Sequence, residues 1–563
     1  MKRFLNRYWK IGLTILFGLA VFFFWRIRYP FALTYQEQFQ LFLFDSDYFL
    51  GVVAEPGGLA RYVAEFLVQF YNSIAIGATV LAILMMLFQR LTWRLMRCEA
   101  HYPLSFLPAA LLWYAMGDES IKLTYVVALL MAMGISWLLM IVFDKVCPQR
   151  RTIIKLITLM LLIPLLYWLI GPMVALVALY IMPLSVVWAL GVMLLSAHFV
   201  SFPLSRVMTG ISYYRFPETI PYLLMAIPAF TWVLSMVARR CPLPKPWVAW
   251  CEGAVCGAVV LGCPDLGYDA RKYELMEYDY LVRIKDWNGI IAKAEEQTPD
   301  LPMSVSATNL ALAMTNQLGE RAFEFYQRGN EGLLPPFERN FSTIPLTGEI
   351  YFYLGMVNTA QRLAFEAMEA IPDYSKSGRM MKRLAETNLI NGEYDVARKY
   401  LQMLDKTIFY RPWAQQALAM LGDEKKIDAH PIYGTLRQFR LEDDFLFSED
   451  ELDKICGQLF MHNQKNQMAA QYLLMAPLLD RDVPRFMQYV KVVQNRIKYN
   501  PRHCQEAIAY ALMQQPQQIP QDAVSQMVLQ QINDFARIWS TNSSSPELGR
   551  FKNTFWYYLM IGK

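Results

Sequence analysis

Residues 172–199 read PMVALVALYIMPLSVVWALGVMLLSAHF, a run that contains no Asp, Glu, Lys or Arg. As one helix, this run would be ~42 Å long at about 1.5 Å per residue, whereas the hydrocarbon core of a membrane is about 30 Å thick. Pro183 lies near its middle, and a proline inside a helix removes one backbone hydrogen bond and disturbs the preceding turn. The stretch therefore predicts two short membrane segments that meet at a break near Pro183.

The rest of the first half has the same apolar character. The chain has 563 residues, of which 55% are hydrophobic and 18% charged, while soluble proteins carry about 25% charged residues. The other apolar runs occupy residues 11–25, 62–88, 105–117, 123–143, 153–170, 220–238 and 247–263. The first run is followed by Arg26 and Arg28 and by no small-residue cleavage site, which predicts an uncleaved anchor.

The two halves of the sequence differ in net charge, and the basic residues of the first half indicate how it is oriented in the membrane. Residues 1–264 contain 20 Lys and Arg against 11 Asp and Glu, and the remaining residues contain 33 against 37. The positive excess lies between apolar spans, which argues against a nucleic acid partner. Lys and Arg concentrate in cytoplasmic loops, and four basic clusters are present: Lys2, Arg3, Arg7 and Lys10; Arg90, Arg94 and Arg97; Lys145, Arg150, Arg151 and Lys155; Arg239, Arg240 and Lys245.

The parity of these clusters sets the number of crossings. If each of the first four apolar runs crosses the membrane once, the first three clusters all lie on the cytoplasmic side. The fourth faces the cytoplasm only if residues 172–199 cross the membrane twice, which gives about nine crossings. We then expect a multi-pass protein of the bacterial inner membrane with its C-terminal half in the periplasm. Eight crossings would instead leave that half in the cytoplasm.

The sequence predicts an all-α protein with a boundary near residue 264. Residues 1–264 form the transmembrane helical domain, and residues 265–563 form a soluble domain of amphipathic helices with short breaks. The segment Ile390-Asn391-Gly392-Glu393-Tyr394-Asp395-Val396-Ala397-Arg398 resembles the turn and second helix of a tetratricopeptide repeat, and Gly355 with Ala360 matches it upstream. The resemblance implies an α-solenoid that binds a protein partner. An irregular helical bundle is the alternative.

The repeat assignment makes a local prediction. Gly392 and Ala397 should belong to one helical hairpin, with Ala397 buried against the helix that contains Leu384 and Leu389, since a small residue is needed where helix axes come close.

Familiar catalytic signatures are missing from the sequence. There is no Gly-rich phosphate loop, no G-x-S-x-G elbow and no His-Glu-x-x-His motif, and the eight cysteines include no C-x-x-C pair. No cofactor is evident. Cys456 and Cys504 are either two buried free thiols or, in an oxidising compartment, a pair.

The first external loop, residues 31–61, carries the candidate chemistry. Glu37 lies a few residues beyond the first span, next to an apolar segment that suits the membrane interface. Such a carboxylate can act as a general base or hold a divalent metal ion, or it can simply cap the interfacial helix. Asp118 and Glu119 lie in the second external turn and are either functional or solvated. Glu65 and Glu252 fall inside apolar runs, where ionisable residues are functional candidates unless they reach the surface.

This arrangement resembles the GT-C-type glycosyltransferases that carry C-terminal tetratricopeptide-like repeats, and also uncharacterised bacterial multi-spanning membrane families of the same layout. The first resemblance implies a polyprenyl-linked sugar donor and Glu37 as catalytic base or metal ligand. If Glu37 is catalytic, we expect substrate-binding residues near it, drawn from Asp118, Glu119, Arg206 and Arg215, with an arginine to bind the donor diphosphate. The sequence departs from the family at one point, since Gln36-Glu37-Gln38 replaces an acidic pair.

Three functions therefore follow from the sequence. The first is an envelope glycosyltransferase whose helical repeats present the acceptor. The second is a membrane-anchored scaffold that recruits envelope or secretion proteins. The third is a transporter with Glu65 and Glu252 on an ion path.

Overall fold

The computed structural model describes residues 2–146, 148–241, 246–338, 343–373, 375–444, 451–514 and 523–562. Over these ranges the chain is helical and forms no strand, and two isolated β-bridges are its only extended pairings. The prediction of an all-α protein is confirmed.

The chain divides into two compact units. The first comprises Met1–Tyr273 together with two later segments, Ile371–Gly378 and Met403–Pro412; the second comprises the remaining chain from Glu274. The first unit therefore extends beyond the predicted boundary at residue 264, and it takes up two segments from the half of the sequence predicted to be a separate domain.

Thirteen helices of the first unit precede its boundary with the second. They are α1 (Lys2–Phe23), α2 (Pro30–Glu37), α3 (Ser46–Val53), α4 (Gly58–Val68), α5 (Ile74–Met96), α6 (Phe106–Ala115), α7 (Leu123–Asp144), α8 (Pro148–Ile170), α9 (Val174–Ile181), α10 (Val186–Ser196), α11 (Leu204–Thr209), α12 (Leu223–Arg240) and α13 (Pro246–Leu266).

Six helical segments in the described residues are long and apolar enough to cross a membrane. They are Tyr8–Arg28, Ile74–Met96, Leu123–Asp144, Arg151–Ile181, Leu223–Arg240 and Trp247–Leu266, and two shorter apolar helices cover Pro103–Ala115 and Pro183–Ser196. The protein is therefore a membrane protein by the length and composition of its helices. The predicted run 62–88 is divided between α4 and α5, because the chain leaves the helical path at Ser73.

The long apolar stretch breaks at the predicted place. Helix α9 ends at Ile181, Met182 is extended, and a 3₁₀ turn at Pro183–Ser185 leads into α10. A second reversal precedes it at Gly171, whose φ of +65° is a left-handed conformation that glycine adopts without strain.

These two reversals fold the stretch back on itself. Lys155 Nζ near the start of α8 donates to the carbonyl of Ile181 at 3.3 Å, so α9 returns along α8. Trp188 Nε1 then donates to the carbonyl of Met160 at 3.2 Å, and α10 follows α8 again. A proline break and a glycine turn thus replace one overlong helix with two short ones.

The second unit contains the remaining helices, four of which share residues with the first unit at their ends. They are α14 (Ala270–Ile284), α15 (Trp287–Glu296), α16 (Pro302–Met314), α17 (Leu318–Arg321), α18 (Ile344–Leu354), α19 (Val357–Glu369), α20 (Gly378–Asn391), α21 (Tyr394–Asp405), α22 (Arg411–Leu418), α23 (Glu424–Ala429), α24 (Tyr433–Phe439), α25 (Leu452–His462), α26 (Gln467–Leu479), α27 (Val483–Gln494), α28 (Arg502–Gln514), α29 (Gln526–Thr541) and α30 (Phe555–Met560).

The turn predicted at Gly392 is present. Helix α20 ends at Asn391, Gly392 adopts a left-handed φ of +85°, and α21 begins at Tyr394. Ala397 is fully buried, as are Leu384 and Leu389 on α20. The helical and buried character of this unit is confirmed, while a regular tetratricopeptide-like solenoid stays a prediction.

The burial of Ala397 makes its size testable. Ala397→Leu should overpack the contact and lower the free energy of unfolding by ~1–3 kcal/mol. Val396→Leu on the same helix is the matched control, since Val396 is 38% exposed and should tolerate the larger side chain. Thermal unfolding of the purified protein measures both. Equal melting temperatures for the two variants would contradict close packing at Ala397.

Candidate functional site

The site is built around a short pairing of two loops in the first unit. Ile121 and Tyr214 form an antiparallel β-bridge, Lys122 N donates to the carbonyl of Tyr213 at 2.9 Å, and Arg215 N donates to the carbonyl of Ser120 at 2.7 Å. This pairing holds the residue that precedes α7 beside the loop that follows α11. In this register Lys122 and Arg215 lie on the same side of the pairing, and the charge of Arg215 acts on Lys122.

Arg206 joins this pair from α11. Its Nη1 donates to the carbonyl of Tyr214 at 3.3 Å, and its guanidinium carbon lies 4.4 Å from the centre of the Tyr214 ring. Lys122, Arg206 and Arg215 are all buried, with exposed fractions of 6%, 3% and 2%. We call these three side chains the cation cluster.

One carboxylate serves two members of the cation cluster. Asp373 lies in the segment Ile371–Gly378, which belongs to the first unit. Both of its oxygens accept from Arg206 Nη2, and its Oδ2 accepts from Lys122 Nζ at 3.1 Å. Taking ions out of water costs several kcal/mol per ion unless partners compensate, so this bridging carboxylate is what makes the two buried cations tolerable.

Arg215 receives no such compensation. Its Nε and Nη1 have no hydrogen-bond partner among the described residues, and its guanidinium carbon lies 3.6 Å from the centre of the Phe39 ring. Burial lowers the pKa of Arg215 to about 10, against the smaller opposing influence of Tyr35, Glu119 and Asp118. The two unpartnered nitrogens are donors whose hydrogen bonds an anion can satisfy.

Burial also lowers the pKa of Lys122. The pKa falls from 10.5 to about 8; Arg61 and Arg215 reinforce this change, and Asp373 opposes it. Burial is therefore the main cause of the lowered pKa, and Asp373 offsets it only in part.

Glu37 is buried beside a second returning segment. It ends α2 and is 4% exposed, and Tyr410 OH donates to its Oε1 at 3.3 Å. The Tyr410 ring packs on Gly378, where an added Cβ would lie 2.5 Å from a ring carbon. Gly378 closes the segment that carries Asp373, so the surroundings of Glu37 and those of the cation cluster share that segment.

The other predicted acids have structural partners. Asp118 Oδ1 accepts from Ser120 N at 2.8 Å within the turn, and Glu119 accepts from Lys272 Nζ at 2.6 Å. Both act electrostatically on Arg215. They help to hold the loop in place, and their predicted contact with substrate stays a prediction.

The two acids predicted inside apolar runs are also partnered. Glu65 accepts from Arg61 Nε at 2.9 Å and from the hydroxyl of Tyr48, and Arg61 also pairs with Glu55 at 2.9 Å. Glu252 lies 2.9 Å from His101 Nδ1. Both carboxylates are thus bound inside the protein.

No group of three His, Cys, Asp or Glu side chains suited to a metal ion occurs among the described residues. The expectation of a divalent metal therefore has no set of ligands within that part of the chain. Cys456 and Cys504 are separate buried thiols.

Sequence reasoning selected Glu37, Arg206 and Arg215 but missed Lys122 and Asp373. One signal was available for Lys122. It is a single cation in a turn predicted to be external, and Lys and Arg residues are rare in external loops because they concentrate on the cytoplasmic side. Asp373 offered no such signal, because its turn resembles the closing turn of a helical repeat.

A family model described as a family of unknown function (DUF6057) matches residues 7–562, and the chain belongs to that family. Neither the curated proteins nor the solved structures include a match to the chain.

The lowered pKa of Lys122 makes stability depend on pH. Between pH 8 and 10.5 the unfolded chain holds a proton on Lys122 that the folded chain has released, so this residue should make the fold more stable as pH rises through 8. The melting temperature of the wild type minus that of Lys122→Gln should therefore increase as the pH is raised from 7 to 9. The charged groups that act on Lys122 are Asp373, Arg61 and Arg215.

Thermal unfolding of both proteins in detergent, in the same buffers, measures this difference. Lys122→Arg serves as a control whose charge stays constant over the window. A difference between wild type and Lys122→Gln that does not change with pH would contradict the lowered pKa.

Proposed function

We propose that the protein is a membrane-embedded transferase that takes a sugar from a polyprenyl-phosphate-linked donor, with Glu37 as the base. The observation that supports this proposal most strongly is the cation cluster, in which Lys122 and Arg206 share the carboxylate of Asp373 and Arg215 is buried without an ion pair among the described residues. Such an excess of buried positive charge suits a phosphate group, which offers several oxygens to guanidinium donors.

The chemistry of transfer requires two groups of opposite character. A base removes the proton from an acceptor hydroxyl, whose oxygen then bonds to the anomeric carbon of the sugar. The bond from that carbon to the phosphate oxygen breaks, and its electron pair leaves with the phosphate. In our proposal Glu37 takes the proton, and the cation cluster stabilises the charge that develops on the phosphate.

The loops that carry these groups also fit a lipid-borne substrate. Lys122 comes immediately before α7, which is long and apolar enough to cross a membrane, and Glu37 follows Tyr8–Arg28 by a short helix. Residues next to the ends of spans lie near the depth of lipid headgroups. A donor with a polyprenyl tail would bring its phosphate to that depth.

In the same proposal, the second unit binds the acceptor or a partner protein through tetratricopeptide-like helix pairs. The pairs of helices and the buried small residue at Ala397 support this role. A scaffold without catalysis is the competing function, and the nine crossings predicted from charge parity favour the enzyme because one or two spans suffice to anchor a scaffold.

Replacing Glu37 by Gln separates catalysis from folding, because the size and much of the hydrogen bonding stay while the charge is lost. In detergent, the wild type should consume polyprenyl-phosphate-linked hexoses in the presence of an acceptor hydroxyl. Glu37→Gln should lower the rate by ~10²–10⁴-fold at an unchanged melting temperature. Glu218→Gln makes the same chemical change at an exposed position and should leave the rate unchanged.

Turnover that survives in Glu37→Gln would remove the assigned base. No consumption of any polyprenyl-linked donor by the wild type would favour the scaffold.

The proposed location is the bacterial inner membrane, with about nine crossings and the second unit in the periplasm. A cysteine introduced at the exposed Ser543 should react with a membrane-impermeant maleimide in intact spheroplasts. A cysteine at the exposed Lys145, in a predicted cytoplasmic loop, should react only after lysis. Protection of position 543 until lysis would exclude the nine-crossing topology.

A further inference from the structure

Asp373 occupies an unusual place in the backbone and in the first unit. Its φ is +61°, a left-handed value that side-chain-bearing residues adopt at a cost in conformational energy. The residue lies between α19 and α20, yet the segment Ile371–Gly378 belongs to the first unit. A strained residue that delivers a buried carboxylate to two buried cations is held there by those ion pairs.

The carboxylate satisfies the cation cluster incompletely. Its two oxygens serve Arg206 and Lys122, while Arg215 retains two nitrogens without partners among the described residues. A carboxylate has two acceptor oxygens, and both are engaged here. A phosphate group has at least one more, and it carries more negative charge.

We propose that Asp373 is an internal substitute for a phosphate group, and that a phosphate-bearing ligand displaces it from the cation cluster. The ligand would take over the donors of Lys122 and Arg206 and add those of Arg215. The segment Ile371–Gly378 would then lose the ion pairs that hold it in the first unit. This inference rests on the proposed function for its site, and it adds a regulatory step to it.

The exchange has a clear driving force. Binding at the cluster would supply acceptors for the two Arg215 nitrogens that have no hydrogen-bond partner among the described residues, and release of Asp373 relieves the left-handed backbone. It also has a clear cost, since the carboxylate must return to water. The ligand therefore competes with Asp373, and removal of the Asp373 charge should strengthen its binding.

The segment also touches the surroundings of Glu37. Gly378 closes it against the Tyr410 ring, and Tyr410 OH donates to Glu37. Movement of this segment would thus change the position of Tyr410 and the environment of the carboxylate. Binding of phosphate at the cation cluster would thereby alter the surroundings of Glu37, the proposed base.

Asp373→Asn tests the exchange in the full-length protein. The variant should melt at a lower temperature than the wild type, because Lys122 and Arg206 lose the carboxylate that pairs with both of them. Inorganic diphosphate should raise its melting temperature by more than it raises that of the wild type. Adding Arg215→Gln to Asp373→Asn should abolish the increase.

Glu349→Gln is the matched control. Glu349 is a buried carboxylate of the second unit that also bridges two arginines, with Arg383 at 2.6 Å and Arg379 at 3.6 Å. Its loss should lower the melting temperature without any rescue by diphosphate. An Asp373→Asn protein that diphosphate fails to rescue, like this control, would overturn the proposal and leave Asp373 with a purely structural role.

Hydrogen exchange of the wild type gives an independent reading. Amides within Ile371–Gly378 should exchange faster when ligand is bound, and unchanged or slower exchange would overturn the displacement. The measurement uses inorganic diphosphate and, separately, polyprenyl phosphate in nanodiscs. A response to both identifies a site for phosphate in general, and a response to the lipid alone identifies a lipid headgroup site.

The result is distinguishable from that of the transferase proposal. Rescue of Asp373→Asn by diphosphate without any sugar transfer would support the exchange and refute the transferase. Sugar transfer that depends on Glu37, without rescue of Asp373→Asn by diphosphate, would support the transferase and refute the exchange.

Discussion

The pairing of two buried cations, Lys122 and Arg206, with the carboxylate of Asp373 is the interaction on which the candidate site depends. Lys122, Arg206 and Asp373 neutralise one another only in part, and Arg215 adds a further positive charge that the described residues leave without a hydrogen-bond partner at two of its nitrogens. Buried ions are costly unless they are paired. The bridge between the loops at residues 121 and 214 and the left-handed backbone of Asp373 make sense as the means of keeping these charges together.

The membrane helices supply the frame for this arrangement. Lys122 immediately precedes α7, and Arg206 and Arg215 lie in the connection between α10 and α12. The Pro183 break and the Gly171 turn allow α9 and α10 to pack against α8. The connection that carries Arg206 and Arg215 follows α10.

Much of the fold was accessible from the sequence because it follows from hydrophobicity and backbone chemistry. The apolar runs predicted the helices, and the excess length of residues 172–199 predicted a break that occurs at Met182 and Pro183. The burial of Ala397 followed from a repeat-like spacing. The division of the chain did not follow, since hydrophobicity along the sequence cannot show that Ile371–Gly378 and Met403–Pro412 join the first unit.

The candidate site was accessible in part for the same reason. Arg206, Arg215 and Glu37 stood out as charges in apolar surroundings, whereas Asp373 lies far away in a polar half and depends on a long-range return of the chain. Asp118 and Glu119 stood out equally, yet hydrogen bonds of the turn and an ion pair with Lys272 engage them. Local composition identifies charges that need partners, and only the tertiary structure shows which of them obtain one.

We propose that the cation cluster binds a phosphate-bearing ligand. Native mass spectrometry of the protein, purified from membranes in a mild detergent, tests it most directly. We expect a bound lipid whose fragments include phosphate, retained by the wild type and lost from a folded Arg215→Gln variant. Equal retention of the lipid by both proteins, or a wild type that carries no phosphate-bearing ligand even after incubation with polyprenyl phosphate, would contradict it.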